Sequence, residues 1–536
     1  MSWARMVLQV ELSRHLAPRR TPRHCRSNRS LPSTTFLTPH NRLETRILLT
    51  YTSLLPSPHT GVRDAISRLT ERDTDCWECG WAVGSPLPHA DLSTFAQFSI
   101  ANVAVCGIAV LKMRKTKGQL VDGFIGAGVK RVSTEFASEP KVGRPLLLHS
   151  SPFGLVTPLV LSNMVSRGIV SNIVAVVREP HGIDKTSVAL MVTDVRVLPG
   201  MEGASCFYYD GANGGEFAGM AMVPIRRKDG DPVDLALIIP ARTILSAVEP
   251  FLSFSSSVSP SPPAVRIAAT DRDAALARTR SAVVLIAVNN TWASGVIVSE
   301  DGYILTSAHI FYEFLEEESP GSPRARLKDW VRVRVRIGDC WFYTGNLDFV
   351  SLTQWDVALL RLSGPGFEEE RRREGGLPFV ELPGEEIEFN TSPGLPLLAL
   401  GHGVFGPRSD TACTMTSGVV SKVVRHRDQP VMVVSSTKVH RGCSGGVLVD
   451  AAQPERVIGL ISSNARTQDG VTITEVNFAI PTNQLAPIAE FLRTRDRNTL
   501  LPLEVLDTEI EDIWFLRTAP PQFPRKEGAK ILRSKL

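Results

Sequence analysis

Three short stretches of this chain carry side chains that together can break an acyl bond. Residues 295–309 read GVIVSEDGYILTSAH, a hairpin that turns at Asp301-Gly302 and whose second strand delivers His309. Residues 355–362 read WDVALLRL, placing Asp356 at the mouth of an apolar strand, and residues 442–446 read GCSGG, placing Ser444 in a glycine-rich turn before another strand. The gaps are 47 and 88 residues, in the order His, Asp, Ser. A serine hydroxyl is a weak nucleophile until a base takes its proton, and neutral imidazole is the base suited to neutral pH. A carboxylate on the far ring nitrogen fixes the tautomer and stabilises the imidazolium as it forms. The glycines around Ser444 allow the backbone N–H groups of Gly442 and Ser444 to face a developing oxyanion. The spacing therefore predicts a catalytic His309, Asp356 and Ser444 with an oxyanion hole at Gly442 and Ser444.

Neighbouring residues offer competing chemistry. Cys443 adjoins the serine and would be the nucleophile of a thiol protease, but in such a turn the residue before the serine points away from substrate. His440 precedes Ser444 by four residues and is expected to border the pocket for the residue before the scissile bond. Cys76 and Cys79 have the spacing of a metal or redox pair, yet no second Cys/His pair follows to complete a zinc site. The triad chemistry needs no metal or cofactor.

The elements that must position these residues are strands. After residue 280 the chain is a succession of short apolar runs separated by Gly, Pro, Asn and Asp, among them 283–288, 357–362, 397–400, 419–424 and 457–461. Val331–Ile337 alternates strictly between apolar residues and arginine, which predicts a strand with one solvated face. The expected fold class is all-β dominated, a double β-barrel in which residues 279–495 form the catalytic domain. A Ser/Pro-rich stretch, 253–278, reads as a linker, and 496–536 as a C-terminal tail.

The segment before the linker echoes the segment after it. Gly168-Ile-Val-Ser171 matches Gly418-Val-Val-Ser421, Val197–Gly203 matches Val439–Gly445, and Ile239-Pro240 matches Ile480-Pro481. Residues 96–252 are thus expected to be a degenerate copy. Glu202 stands where Ser444 should be and Gly107 where Asp356 should be, so this copy has no nucleophile and is expected to serve packing, substrate docking or dimer contact.

Composition excludes other classes. The 536 residues are 43% hydrophobic and 21% charged, eight cysteines are too few for a disulfide scaffold, and no apolar run reaches membrane-spanning length. Seven arginines and one acid give residues 1–30 a charge of +6 against +4 for the whole chain, which leaves the remainder at −2, slightly acidic and unsuited to gathering nucleic acid. That Arg-rich start fits an organelle transit peptide or an unstructured leader, and residues 1–95 are otherwise unassigned. The chain finishes Ser534-Lys535-Leu536, the receptor-read address of the peroxisome, which predicts a matrix location and an import receptor as partner.

Thr306–His309, Asp356–Leu362 and Gly442–Gly446 resemble trypsin-like serine proteases of the Deg/HtrA branch, in which His309 lacks the flanking cysteines of secreted trypsins. The 41 residues after Arg495 are too few for the PDZ domain usual in that branch. Gly403–Gly406, Thr416–Ser421, Pro430–Met432, Ser463–Arg466 and Asn477–Pro481, with the terminal Ser-Lys-Leu, resemble the peroxisomal (glyoxysomal) leader-peptide-processing family. The resemblance implies an endopeptidase that removes N-terminal leaders from imported matrix proteins and trims others, β-oxidation enzymes among them, near a cysteine. It also implies self-cleavage and self-association as a homodimer, and a substrate strand laid along Ser462, Ser463 and Asn464. The alternative is a catalytically inactive, protease-like binding or chaperone scaffold.

Overall fold

The computed structural model describes residues 139–516 apart from 153–163, 179–181, 199, 210–215, 228–232, 249–269, 318–324, 339, 364–366, 368, 370–375, 385–388, 390, 409–410 and 468–470. Before residue 139 it describes only the backbone of four strands, β1 (Gln9–Glu11), β2 (Leu49–Leu54), β3 (Trp77–Cys79) and β4 (Gly107–Met113). Strand β4 lies between β1 and β2, and β3 pairs with β9 of the barrel that follows. The Arg-rich start, Cys76 and the terminal Ser-Lys-Leu lie outside the described residues, as does most of the Ser/Pro stretch.

Three barrels share one topology. The first runs β5 (Pro145–Ser150), β6 (Met164–Arg178), β7 (Gly182–Thr193), β8 (Ser205–Tyr208), β9 (Phe217–Arg227) and β10 (Leu235–Pro240), followed by helix α1 (Ala241–Val248). Helix α2 (Asp271–Ala282), which starts inside the stretch read as linker, carries a reciprocal capping box between Thr270 and Asp273. The second barrel is β11 (Val283–Val288), β12 (Thr291–Ile297), β13 (Tyr303–Thr306), β16 (Val333–Ile337), β17 (Cys340–Val350) and β18 (Ala358–Leu362), with the hairpin β14 (Leu315–Glu317) and β15 (Ala325–Leu327) inserted. The third is β19 (Pro396–Gly401), β20 (Thr414–His426), β21 (Gln429–Ser435), β22 (Val447–Asp450), β23 (Val457–Arg466) and β24 (Thr472–Pro481). In each, taken in its own numbering, the strands follow one another around the barrel as first, second, third, sixth, fifth, fourth.

Alternation explains the strands and one departure from expectation. In β16, Val333 and Val335 are buried and Arg334 is exposed, as a period of two requires. Arg336, expected on the solvated face, is instead 7% exposed and donates to the Thr411 carbonyl at 2.9 Å. The outward face of β16 is covered there by the loop leading into β20, so the arginine pairs rather than solvates. A continuous core runs across the second and third barrels through Val296, Leu305, Leu359, Leu400, Val447, Leu460 and Ile480.

The chain after Arg495 is not a plain tail. A 3-10 run, Arg497–Leu503, buries Leu500 and Leu503, and helix α4 (Thr508–Trp514) begins at Asp507, whose carboxylate accepts from the N–H groups of Glu509 and Ile510. Helix α3 (Ala486–Thr494) precedes them, closing with Arg495 in the left-handed conformation.

Candidate active site

The second and third barrels are stitched together close to the residues singled out by spacing. Ser294 of β12 receives a hydrogen bond into its carbonyl from Thr306 at 2.7 Å, donates its hydroxyl to the Gly442 carbonyl at 2.7 Å, and donates its N–H to the Ser444 carbonyl at 2.8 Å. The strand that carries His309 and the turn that carries Ser444 are therefore anchored to one residue of the same strand. Gly445 donates to the Ile461 carbonyl and Ile461 donates back to Gly446, each at 2.8 Å, which fixes the turn against β23.

His309 follows β13 in a short 3-10 turn, and Asp356 precedes β18, antiparallel to β13, so the register Thr306 to Ala358 brings the two side by side. Nδ1 of His309 lies 2.8 Å from Oδ2 of Asp356, while Oδ1 accepts the His309 backbone N–H at 2.8 Å. Ser462 donates its hydroxyl to the same Oδ2 at 2.7 Å. The carboxylate thus holds the ring in the tautomer that leaves Nε2 free for a proton. Burial works against a charged imidazolium, but the hydrogen bond to Asp356 and its charge outweigh that and hold the His309 pKa above its ordinary value.

Ser444 is half-buried and donates its hydroxyl to the Ser462 carbonyl at 2.9 Å. The glycines near it take the left-handed backbone of a tight turn. Gly442 has φ +93° and Gly445 φ +81°, and a Cβ on Gly442 would fall 2.3 Å from Nε1 of Trp292 and 2.9 Å from the His402 carbonyl oxygen. Cys443 is buried, and burial raises its thiol pKa to about 11 against two weaker backbone hydrogen bonds, which gives the thiol reading no ionised sulfur.

Ser462, Ser463 and Asn464 lie in β23 where its pairing with β24 shifts register, first between Ile461 and Ser463 and then between Asn464 and Arg466. Ser462 and Ser463 line a cleft of about 650 Å3 together with His309, Asp356, Tyr312 and Leu352, and with Glu511, Trp514 and Phe515 from the C-terminal segment. The C-terminal wall was not foreseen in the sequence. Its signal was an Asp507 cap followed by Ile510, Ile513 and Trp514 at helical spacing.

His440 does not serve simply as a pocket border. Its Nε2 is hydrogen-bonded to the Val233 carbonyl of the first barrel, and Lys438 donates to the Asp194 carbonyl of that barrel. The first barrel also retains the shape of the nucleophile turn. Gly200 and Gly203 have φ +86° and +78°, Gly203 donates to Ala221 at 2.8 Å, and Ala221 donates to Ala204 at 2.9 Å, reproducing the bonds of Gly442–Gly446 to Ile461. Glu202, at the serine position, folds its carboxylate back onto the Gly200 N–H at 3.1 Å and so occupies the degenerate hole with its own side chain. Gly107 lies at the start of β4, distant in sequence from any described carboxylate of this turn.

Among the described residues, His426, Asp507 and Glu509 bring their ligand atoms within 4.8 Å of one another. They already have work: Asp507 caps α4, and Glu509 lies 3.2 Å from Nε2 of His426 and 3.0 Å from Arg427.

Residues 293–460, which contain His309, Asp356 and Ser444 in this geometry, match the trypsin-like peptidase domain. The chain carries a trypsin-like peptidase domain. Over 401 residues it is 29% identical to the peroxisomal leader peptide-processing protease of Mus musculus, and over 396 residues 28% identical to that of Homo sapiens. Each comparison covers 72% of this chain, which spans 62% of the length of either relative. Among solved structures, an HtrA-type protease, AlgW with tripeptide, is similar at 22% identity and a TM-score of 0.31, covering 42% of this chain and 64% of that one.

Proposed function

We propose that this chain is a peroxisomal serine endopeptidase that removes N-terminal leader peptides from imported matrix proteins. The observation that carries the reading is the chain of contacts from His309 to Asp356, from Asp356 to the Ser462 hydroxyl, and from the Ser462 carbonyl to the hydroxyl of Ser444 in its glycine turn. The relatives' names supply both the leader-peptide substrate class and the organelle.

In the mechanism the substrate strand lies along Ser462–Asn464 and brings a backbone N–H to the Ser462 carbonyl. That N–H competes with the Ser444 hydroxyl for the same oxygen, and the hydroxyl is released to turn toward His309. Nε2 of His309 takes the hydroxyl proton as Oγ of Ser444 attacks the scissile carbonyl carbon. The oxygen of the tetrahedral intermediate takes hydrogen bonds from the N–H groups of Gly442 and Ser444. Imidazolium then gives its proton to the leaving amine, the amide bond breaks and an acyl-enzyme ester remains. Water, deprotonated by the same imidazole, hydrolyses the ester and restores Ser444. Asp356 stays ionised throughout and stabilises the imidazolium.

The test mixes the purified full chain, and separately its Ser444→Ala variant, with a precursor bearing a peroxisomal N-terminal leader, and reads product ends by mass spectrometry. Cleavage at the leader boundary by the parent alone is expected, with Cys443→Ala still active. Activity that survives Ser444→Ala but not Cys443→Ala would reassign the nucleophile to the thiol. Two folded proteins that both fail to cut, and a Ser444 that takes up no fluorophosphonate probe, would leave a protease-like binding scaffold.

A further inference from the structure

The cleft beside His309 has one wall that the peptidase barrels do not supply. Helix α4 contributes Glu511 and Trp514 to it, and Phe515 follows immediately. The opposite side carries Leu352 and Tyr312, so that Leu352, Tyr312 and Phe515 present apolar surface to solvent at 53%, 44% and 58% exposure in one continuous cleft. Ser462 and Ser463 lie in the same cleft, and they are the residues along which the segment preceding the scissile bond is laid. Side chains of that segment alternate between the two faces of the sheet it joins, so those on the face toward α4 meet this wall.

The helix is built to stay there. Gln354 clamps the segment leading into α4 from both ends of its amide, donating to the Val505 carbonyl at 3.1 Å and accepting from the Asp507 N–H at 3.0 Å. Ser351 and Thr353 both donate to the Leu503 carbonyl at 2.9 Å. These three residues form the loop that ends at Asp356, so the same loop holds a catalytic carboxylate and the C-terminal wall. On its other flank α4 is tied by Glu509 to Arg427 at 3.0 Å, while Ile513 and Trp514 pack on Met432, Ala465 and Phe478.

Charge adds a second feature. Of the two glutamates lining the cleft, Glu316 is paired with Arg326 at 2.6 Å. Glu511 has no ion-pair partner among the described residues, although it stands beside an apolar surface.

We infer that the C-terminal helix, through Trp514, Phe515 and Glu511, forms a specificity subsite for a bulky apolar side chain with a neighbouring basic residue, two to four positions before the scissile bond. The inference rests on the endopeptidase reading and extends it to the chemistry of the leader. An apolar side chain there is removed from water between Leu352, Trp514 and Phe515, and a lysine or arginine next to it supplies the cation that Glu511 lacks.

The test measures kcat/KM of the full chain on leader-derived peptides that carry leucine or alanine at each of the three positions, with lysine or glutamate beside it. The parent is expected to prefer leucine at one of these positions by about 10-fold or more, the range an apolar pocket gives. In Trp514→Ala that preference falls below about threefold, mainly through KM because the pocket binds ground and transition states alike. Glu511→Lys reverses the preference between lysine and glutamate at the neighbouring position, a readout that loss of stability would not produce. Should Trp514→Ala fail to fold, Phe515→Ser, at an exposed position, carries the same expectation. A parent that cuts in a Ser444-dependent way with no side-chain preference at these positions, or with a preference that all three variants retain, overturns the inference. A parent that cuts no peptide overturns the endopeptidase reading instead.

Discussion

Asp194 of the first barrel accepts from both the backbone N–H and the hydroxyl of Ser417 in the third, each at 2.7 Å. Its other oxygen accepts the Ile169 N–H at 2.7 Å, and the residue is 3% exposed. One buried carboxylate thus fixes the first barrel against β20 of the third. Asn172 and Arg280 extend the seam, donating to the carbonyls of Ala412 and Cys413 at 2.9 and 3.0 Å. Asp194→Ala leaves the N–H groups of Ile169 and Ser417 without their acceptor, at a cost of about 1–3 kcal/mol for each group that stays buried. Ser417→Ala removes only the hydroxyl bond and is expected to cost about 1 kcal/mol. Urea midpoints measured on the full chain check the ranking, and equal losses in the two variants would contradict it.

The same seam reaches the nucleophile turn through His440 and the Val233 carbonyl. His440→Ala is expected to lower kcat about fivefold, as loss of one hydrogen bond of about 1 kcal/mol would, with little change in KM. His440→Gln places an amide N–H near the position of Nε2 and is expected to restore most of the rate. A loss carried by KM, or one the glutamine does not relieve, would mean that His440 contacts substrate rather than supports the turn.

The pH dependence of cleavage follows from the pair His309 and Asp356. The base acts in its neutral form, and its pKa is held above 6.5, so the ascending limb of kcat/KM against pH is expected to have its midpoint above that value. Asp356→Asn removes the charge and offers the ring an amide donor in place of a carboxylate acceptor, so what favours the protonated ring is lost and the opposing effect of burial remains. The limb should then move to lower pH while the plateau falls by about 10^4-fold. A limb that stays in place in the variant would assign the titration to another group.

The candidate triad could be picked out because the proposed chemistry dictates its residue types and the strands dictate their spacing. Ser444 needs glycines around it, and His309 and Asp356 end and begin antiparallel neighbours. The repeat was legible for a similar reason, since the turn at Gly200–Gly203 keeps its left-handed glycines even though Glu202 has replaced the nucleophile. What the sequence did not disclose was contact between distant segments. The alternation in β16 places Arg334 and Arg336 on one face, but says nothing of the loop that covers Arg336 alone. Helix α4 has seven residues and three apolar side chains, too short a pattern to separate from a tail, and its place beside His309 depends on Gln354, some 150 residues earlier.

His402 gives stability a pH dependence of its own. Its side chain is buried behind the turn that carries Ser444, with Nε2 3.3 Å from the Val283 carbonyl. Burial, with the nearby charge of Arg336, lowers its pKa from 6.5 to about 3. The folded protein therefore holds this histidine neutral while the unfolded chain binds a proton below about 6.5, so stability is complete above that pH and is lost as pH falls toward 3. At pH 5 the loss is about 2 kcal/mol relative to pH 8. His402→Leu removes the titration, and the difference in unfolding free energy between parent and variant should shift by that amount in the parent's disfavour on acidification. Parallel stability curves over that range would show that the ring gains a proton inside the fold.

Gly442 tests the oxyanion hole without touching a titrating group. At φ +93° a side chain is strained, and a Cβ would meet Trp292 and the His402 carbonyl, so Gly442→Ala must rotate or shift the peptide whose N–H faces the hole. Loss of one such donor costs about 10^2–10^3-fold in kcat. Because the donor acts on the transition state, KM is expected to change little, and labelling of Ser444 by a fluorophosphonate should slow in step with kcat, since the phosphoryl oxygen occupies the same hole. A variant with unchanged kcat would show that the turn accommodates the methyl group with its N–H still in place, or that another donor serves the oxyanion.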